Sequence, residues 1–139
     1  EGFGGEEGVL KGKSELFNYV KAKQGVLFIH SGENKLIHLF GDYHKTVRYG
    51  FDVNDYATGR IIKGDEFATV EIDEEVIIHS HLVGDYNANN IIAAACIGKY
   101  FDISFQDIQD AIENYYPDNN RSELKEMGGN YFIMAKSYT

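Results

Sequence analysis

Tryptophan is absent and cysteine occurs once, at Cys96. A lone thiol cannot close an internal disulfide, so nothing here reads as a disulfide-stapled secreted domain. Cys96 lies in the apolar run Ile91-Ile-Ala-Ala-Ala-Cys-Ile97, where the expected role is that of a small buried hydrophobe. No apolar run approaches the ~20 residues needed to cross a bilayer. Glu1-Gly-Phe-Gly-Gly-Glu-Glu7 has neither the charge nor the apolar stretch of a signal or transit peptide, so the expected location is cytoplasmic. Beginning on Glu1 without a methionine, the chain is expected to be a piece of a longer protein. Positive charge is also scarce: 13 Lys and Arg against 22 Asp and Glu give a formal net charge of −9. Such a surface repels phosphate backbones, which argues against nucleic-acid binding. It leaves room for a nucleotide, which arrives with magnesium and is held by local dipoles rather than by net charge.

What is present is a foldable core. Hydrophobic residues make up 43% of the 139-residue chain, enough for one domain and too short for two large ones. Val9, Leu10, Lys13, Leu16, Phe17 and Val20 recur at helical spacing until Gly25 stops them. Gly25-Val-Leu-Phe-Ile-His30 reads as a short buried strand, and Asn34 to Phe40 as a short helix. From Thr46 to Val83 the pattern is β, in the runs Thr46–Tyr49, Ala57–Ile62, Phe67–Ile72 and Val76–Val83. Turns at Gly50, Gly64 and Asp73-Glu-Glu suit an antiparallel meander. Two helices are expected next, the first capped by Asn90 and running to about Phe101. The second opens on Ser104-Phe-Gln-Asp107 and ends by Pro117. Tyr131 to Met134 is a last strand. The order implies a mixed α/β unit: a mixed sheet with an antiparallel β-meander and flanking helices.

Several stretches invite a chemical reading. Gly8-Val-Leu-Lys-Gly12-Lys13-Ser14 imitates a phosphate-binding loop, but G-x-x-x-x-G-K-[ST] needs glycine where Glu7 stands, and no apolar strand precedes it. Lys13 stands out for another reason, because its helical phase places it on the face with Val9 and Leu16. Burying an ammonium is costly, so either its stem packs while its head reaches water, or its environment is functional. Of His30, His38, His44, His79 and His81, only His79-Ser-His81 is closely spaced, and without a clustered third ligand these read as structural or surface residues. Gly84-Asp-Tyr-Asn87-Ala-Asn-Asn90 joins a strand to a helix, where free N–H groups and the helix dipole gather. Asparagine amides both donate and accept, which suits an adenine edge as well as a turn or cap. Arg121, in Pro117-Asp-Asn-Asn-Arg121-Ser, has the chemistry to clamp a phosphate or ribose, or simply to be a solvated loop residue.

Taken in order, Glu1-Gly-Phe-Gly-Gly, Gly8-Val-Leu-Lys-Gly-Lys13-Ser-Glu-Leu-Phe17, Gly84-Asp-Tyr-Asn-Ala-Asn-Asn90 with Ala93-Ala94, and Pro117-Asp-Asn-Asn-Arg121-Ser resemble the Mur ligase family. Within it, the likeness is to the branch that adds D-alanyl-D-alanine to a UDP-muramyl peptide. The resemblance implies that residues 1–139 form the second half of a central, ATP-binding domain. It implies ATP-dependent amide formation in peptidoglycan synthesis: a carboxylate is phosphorylated, and an amine attacks the acyl phosphate. Two anions must meet in that chemistry, so magnesium and cationic groups are required. By the same resemblance, Lys13 matches a lysine carried as a carbamate that helps to hold magnesium. Asn87 and Asn90 match asparagines near the adenine, and Arg121 matches a nucleotide-contacting arginine.

The departures are specific. The family's phosphate-binding loop and a metal-binding histidine belong upstream of Glu1, and its C-terminal domain beyond Thr139, so the isolated chain is expected to be inactive. Where the family has Asn-Ala-Asp after the first strand, this chain has His30-Ser-Gly-Glu33. Where it has an aspartate before Ser/Ala-Tyr-Asn, this chain has Ala135-Lys136-Ser-Tyr-Thr139. The alternatives are a folylpolyglutamate-synthase-like ligase and a non-catalytic binding domain derived from a Mur ligase.

Overall fold

Gly25 ends the first helix by a tight local device. Helix α1 (Gly5–Ala22) closes through Gln24 in the left-handed region, at φ 56°, and Gly25 N–H donates to Val20 O at 2.9 Å. A Cβ on Gly25 would lie 2.7 Å from Val20 Cγ1, so this turn has no room for a side chain. The computed structural model describes residues 4–64, 66–117, 123–127 and 130–134. After α1 come β1 (Leu27–His30), α2 (Asn34–Phe40), β2 (Thr46–Gly50), β3 (Ala57–Ile62), β4 (Phe67–Ile72) and β5 (Val76–Val83). A 3-10 turn at Asp85–Asn87 leads into α3 (Ala88–Tyr100), followed by α4 (Phe105–Glu113), β6 (Glu123–Met127) and β7 (Asn130–Met134). Ser104 caps α4 as its sequence implies, its Oγ accepting from Asp107 N–H at 3.1 Å.

Strands β1 to β5 form one mixed sheet in sequential order, and β6 and β7 form a separate antiparallel pair. The fold class is the one expected, but the meander is antiparallel only from Ala57 onward. Strand β1 runs parallel to β2, and β2 parallel to β3, with Tyr49 opposite Ala57 and Gly50 opposite Thr58. A parallel return normally needs a long crossover. Here β3 starts beside the end of β2 and continues in the same direction, so residues 51–56 only shift the chain sideways by one strand. Asp52 and Asp55 brace that loop: Asp52 Oδ1 accepts from Asn54 N–H at 2.9 Å, and Asp55 Oδ2 accepts from Ser31 Oγ–H at 2.6 Å.

The two kinds of strand are covered differently. Leu27 and Ile29 of β1 pack with Leu36 and Phe40 of α2, beneath Leu10, Phe17 and Val20 of α1. Phe28 points to the other face and meets Tyr100 of α3 edge-on, with ring centroids 5.3 Å apart. The parallel edge of the sheet is thus enclosed on both sides. On the antiparallel half, Val70, Ile72 and Ile78 are buried under Ile91, Ile92 and Ile108, while Arg60, Ile77 and His79 lie on the uncovered face. Full burial of each isoleucine is worth roughly 1.5–3 kcal/mol.

Two boundaries differ from the sequence expectation. Helix α3 begins at Ala88 rather than after Asn90, because the 3-10 turn winds directly into it and Asn87 is already helical at φ −74°, ψ −11°. Strand β6 falls partly where a loop was expected, since Glu-Leu-Lys-Glu-Met has no β-branched or aromatic residue to mark it.

Candidate functional site

Ligands of α/β sheets favour the crevice beyond the carboxyl ends of parallel strands. At that end of β1 and β2 lies a cleft of about 380 Å³, bounded by Lys13 of α1, His30, Glu33, Tyr49, and Asn89 and Asn90 of α3. Residues distant in sequence converge here because α1 lies along one face of β1 while the first turn of α3 approaches from the other.

Lys13 Nζ lies 3.5 Å from Glu33 Oε1, and its side chain is 44% exposed. The expectation that Lys13 points inward is therefore corrected. The apolar positions of α1 span too wide an arc for one contact, and the helix rests on Leu10, Phe17 and Val20. Val9, Lys13 and Leu16 fall at the margin, with Val9 44% and Leu16 59% exposed. Gly8 to Ser14 is helical throughout, which engages the backbone N–H groups that a phosphate-binding loop would present.

His30 accepts a hydrogen bond at Nδ1 from Gly32 N–H at 3.0 Å, which pins the turn that carries Glu33. In the neutral ring the proton then sits on Nε2, which is buried and without a partner among the described residues. Tyr49 borders the same cleft. Burial, then the nearby Cys96 and Glu33, push its hydroxyl above its ordinary pKa, so it remains a protonated donor at neutral pH. Neither Glu33 nor His30 was singled out from sequence as a site residue. Glu33 meets Lys13 only because the β1–α2 turn folds back beside α1, and no short-range spacing announces that.

The asparagines divide by environment. Asn87 is 5% exposed; its Nδ2 donates to Val83 O at 2.9 Å and its Oδ1 accepts from Asn90 Nδ2 at 3.1 Å. Asn90 and Asn89 are exposed and face the cleft. Asn87 and Asn90 are thus brought together, and Asn90 shares the cleft with Lys13. Arg121, Ala135 and Lys136 lie outside the described residues. His79 and His81 lie well away on β5, His81 stacked on Tyr116 at 4.1 Å, and among the described residues no group of three His, Cys, Asp or Glu side chains forms a metal cluster.

Comparison with known proteins gives a consistent picture. The family model described as "Mur ligase middle domain" matches residues 1–98. A search of curated proteins finds no match. Among solved structures, one crystal structure of MurF from Acinetobacter baumannii is similar at 18% identity and a TM-score of 0.77, over 95% of this chain and 30% of that one. A structure of UDP-N-acetylmuramoylalanyl-D-glutamyl-2,6-diaminopimelate–D-alanyl-D-alanyl ligase from the same organism is similar at 15% identity and a TM-score of 0.63, over 80% and 26% of the two chains. A second MurF crystal form has the same identity and TM-score, over 80% and 25%. At these identities the likeness shows the fold. The chain spans less than a third of the length of these proteins.

Proposed function

The chain belongs to the Mur ligase family, as a middle domain, and from that premise we propose that it is the second half of the ATP-binding domain of a longer amide ligase. The longer protein joins D-alanyl-D-alanine to a UDP-muramyl peptide in peptidoglycan synthesis. The observation that supports this best is the meeting of Lys13 and Asn90 in one cleft at the carboxyl ends of β1 and β2. The family resemblance assigns Lys13, as a carbamate, to holding magnesium and Asn90 to the neighbourhood of the adenine.

When bound, ATP and magnesium supply the phosphoryl group and the charge that offsets two anions. The residues present fit that pair. Lys13 Nζ stands 3.5 Å from a carboxylate oxygen of Glu33, so a carbamate on Lys13 would add hard oxygen donors beside one already there, the donor type magnesium takes. In this reading Lys13 as a carbamate is the catalytic, metal-holding residue. Asn87 and Asn90 hold the base end of the nucleotide, Asn87 acting through the bond that orients Asn90. Arg121 contacts the nucleotide from the segment after α4. Tyr49 and the His30-braced turn fix the cleft wall and keep Glu33 opposite Lys13.

The test is an assay of the longer gene product with ATP, magnesium and a UDP-muramyl tripeptide. Phosphate release that requires D-alanyl-D-alanine is the expected result. Release driven instead by glutamate and a folate would move the chain to the folylpolyglutamate-synthase-like ligases. No phosphate release with any acceptor would leave a binding domain.

A further inference from the structure

Ser31 is tied to two other parts of the chain. Its N–H donates to Tyr49 O of β2 at 2.8 Å, and its Oγ–H donates to Asp55 Oδ2 at 2.6 Å. Asp55 Oδ2 also accepts from Asp52 N–H at 3.3 Å, so one carboxylate oxygen gathers the turn after β1 and the loop after β2. A carboxylate acceptor roughly doubles the strength of such a bond over a neutral one. Gly50 makes the contact possible: a Cβ there would overlap Ser31 Oγ and lie 3.0 Å from Asp55 Oδ2. The family resemblance has Asn-Ala-Asp where this chain has His30-Ser-Gly-Glu33, so the hydroxyl that makes this bond belongs to this chain and not to the family pattern.

The bond holds one wall of the cleft from behind. From Ser31 the chain reaches Glu33 through Gly32, whose N–H donates to His30 Nδ1 at 3.0 Å, and Glu33 N–H donates to His30 O at 2.9 Å. The Glu33 carboxylate is half exposed, and among the described residues its only partner is Lys13 Nζ at 3.5 Å. A carboxylate so loosely held keeps its place only as well as the backbone beneath it does. We infer that Ser31 and Asp55 are positioning residues of the cleft: their bond fixes the turn that carries Glu33, and through it how tightly the cleft holds magnesium. The inference rests on the reading that magnesium and a nucleotide bind beside Lys13. Neither Ser31 nor Asp55 lines the cleft. They act through Glu33, as the outer partners of metal ligands do, whose loss typically costs about tenfold or more in metal affinity.

Two measurements test this, the first free of any nucleotide. In the 139-residue chain, Ser31→Ala should speed deuterium exchange of the Gly32 and Glu33 amides about tenfold. Asp55→Asn keeps an acceptor oxygen and should stay near the parent rate. Alanine is the residue the resemblance places at position 31, so the variant is expected to fold. In the longer ligase, Ser31→Ala should raise the magnesium concentration for half-maximal turnover about tenfold. Turnover should largely recover at saturating magnesium, with the KM for D-alanyl-D-alanine unmoved. A general loss of stability would instead lower turnover at every magnesium concentration. Unchanged exchange in Ser31→Ala would show that the bond does not hold the turn, and faster exchange with an unmoved magnesium midpoint would make the bond structural only. Either result overturns the inference and leaves the nucleotide reading standing. Absence of magnesium-dependent turnover in the parent ligase would bring down both.

Discussion

Ile92 of α3 rests directly on Gly59 of β3, so that a Cβ added to the glycine would overlap Ile92 Cδ1 and Cγ1. Ile92 is fully buried, packed among Val70, Ile91 and Ala95 in the same cluster. Gly59→Ala should therefore push α3 off the sheet and cost about 1–3 kcal/mol, read as a lower melting temperature. Ile92→Val in the same chain should recover part of the loss. Equal stability of Gly59→Ala and the parent chain would mean the helix sits further out.

Lys13 should separate stability from function. Its pair with Glu33 is loose and half exposed, so Lys13→Ala should change unfolding free energy by no more than about 0.5 kcal/mol. In the longer ligase the same substitution should abolish most turnover while nucleotide binding persists. Lys13→Arg should fail equally, because a guanidinium keeps its charge and cannot become a carbamate. Near-normal turnover by Lys13→Arg would reduce Lys13 to a surface residue.

Asp73 holds three parts of the fold at once. Its Oδ1 accepts from Thr58 N–H at 2.7 Å and from Thr58 Oγ–H at 3.1 Å, while its Oδ2 pairs with Lys99 Nζ at 2.7 Å. Asp73→Ala leaves the Thr58 N–H without its acceptor, strips Lys99 of its carboxylate partner while leaving it Tyr56 O, and also places alanine at φ 52°. A loss of about 2–3 kcal/mol in chemical denaturation is expected. A change below 1 kcal/mol, on the order of a single weak hydrogen bond, would show that water replaces the carboxylate.

Cys96 is buried, and desolvation pushes its thiol up to about 11 from 9.0. A thiol reagent at pH 8 should leave the native chain unlabelled and react only after denaturation. The folded pKa lies above the unfolded one, so the thiol's contribution to stability is complete below pH 9.0 and declines as pH rises toward about 11. Prompt labelling of the native chain at pH 8 would place Cys96 at the surface.

Most of the elements were legible because burial leaves periodic marks. The Leu10, Phe17 and Val20 spacing marks α1, the alternation in Val76 to Val83 marks β5, and Ser104 with Asp107 marks the start of α4. Strand direction leaves no such mark, and so Thr46–Gly50 and Ala57–Ile62 read as antiparallel neighbours although they run parallel. The inward reading of Lys13 failed for a related reason. Periodicity gives the width of an apolar arc but not which part of it the sheet will cover. Within the cleft, Asn90 was legible from its place at a strand–helix junction. Glu33 was not, because its partner lies on a different element.

The sideways step at residues 51–56 has a consequence for how the molecule breathes. Only Tyr49 with Ala57 and Gly50 with Thr58 join β2 to β3, whereas β3 and β4 match over four pairs. One hydrophobic cluster lies under α1 and α2 on the β1 side, while the other, under α3 and α4, reaches across the join only through Tyr49 and the Phe28–Tyr100 contact. Sub-global opening should follow this line, with amides of β1 and β2 exchanging with deuterated solvent sooner than those of β4 and β5. On this expectation Lys13, His30 and Glu33 open with the β1–β2 part, and Asn89 and Asn90 stay with α3. A molecule seated between them would act as a tie-rod, slowing exchange in the weaker half without touching most of its amides.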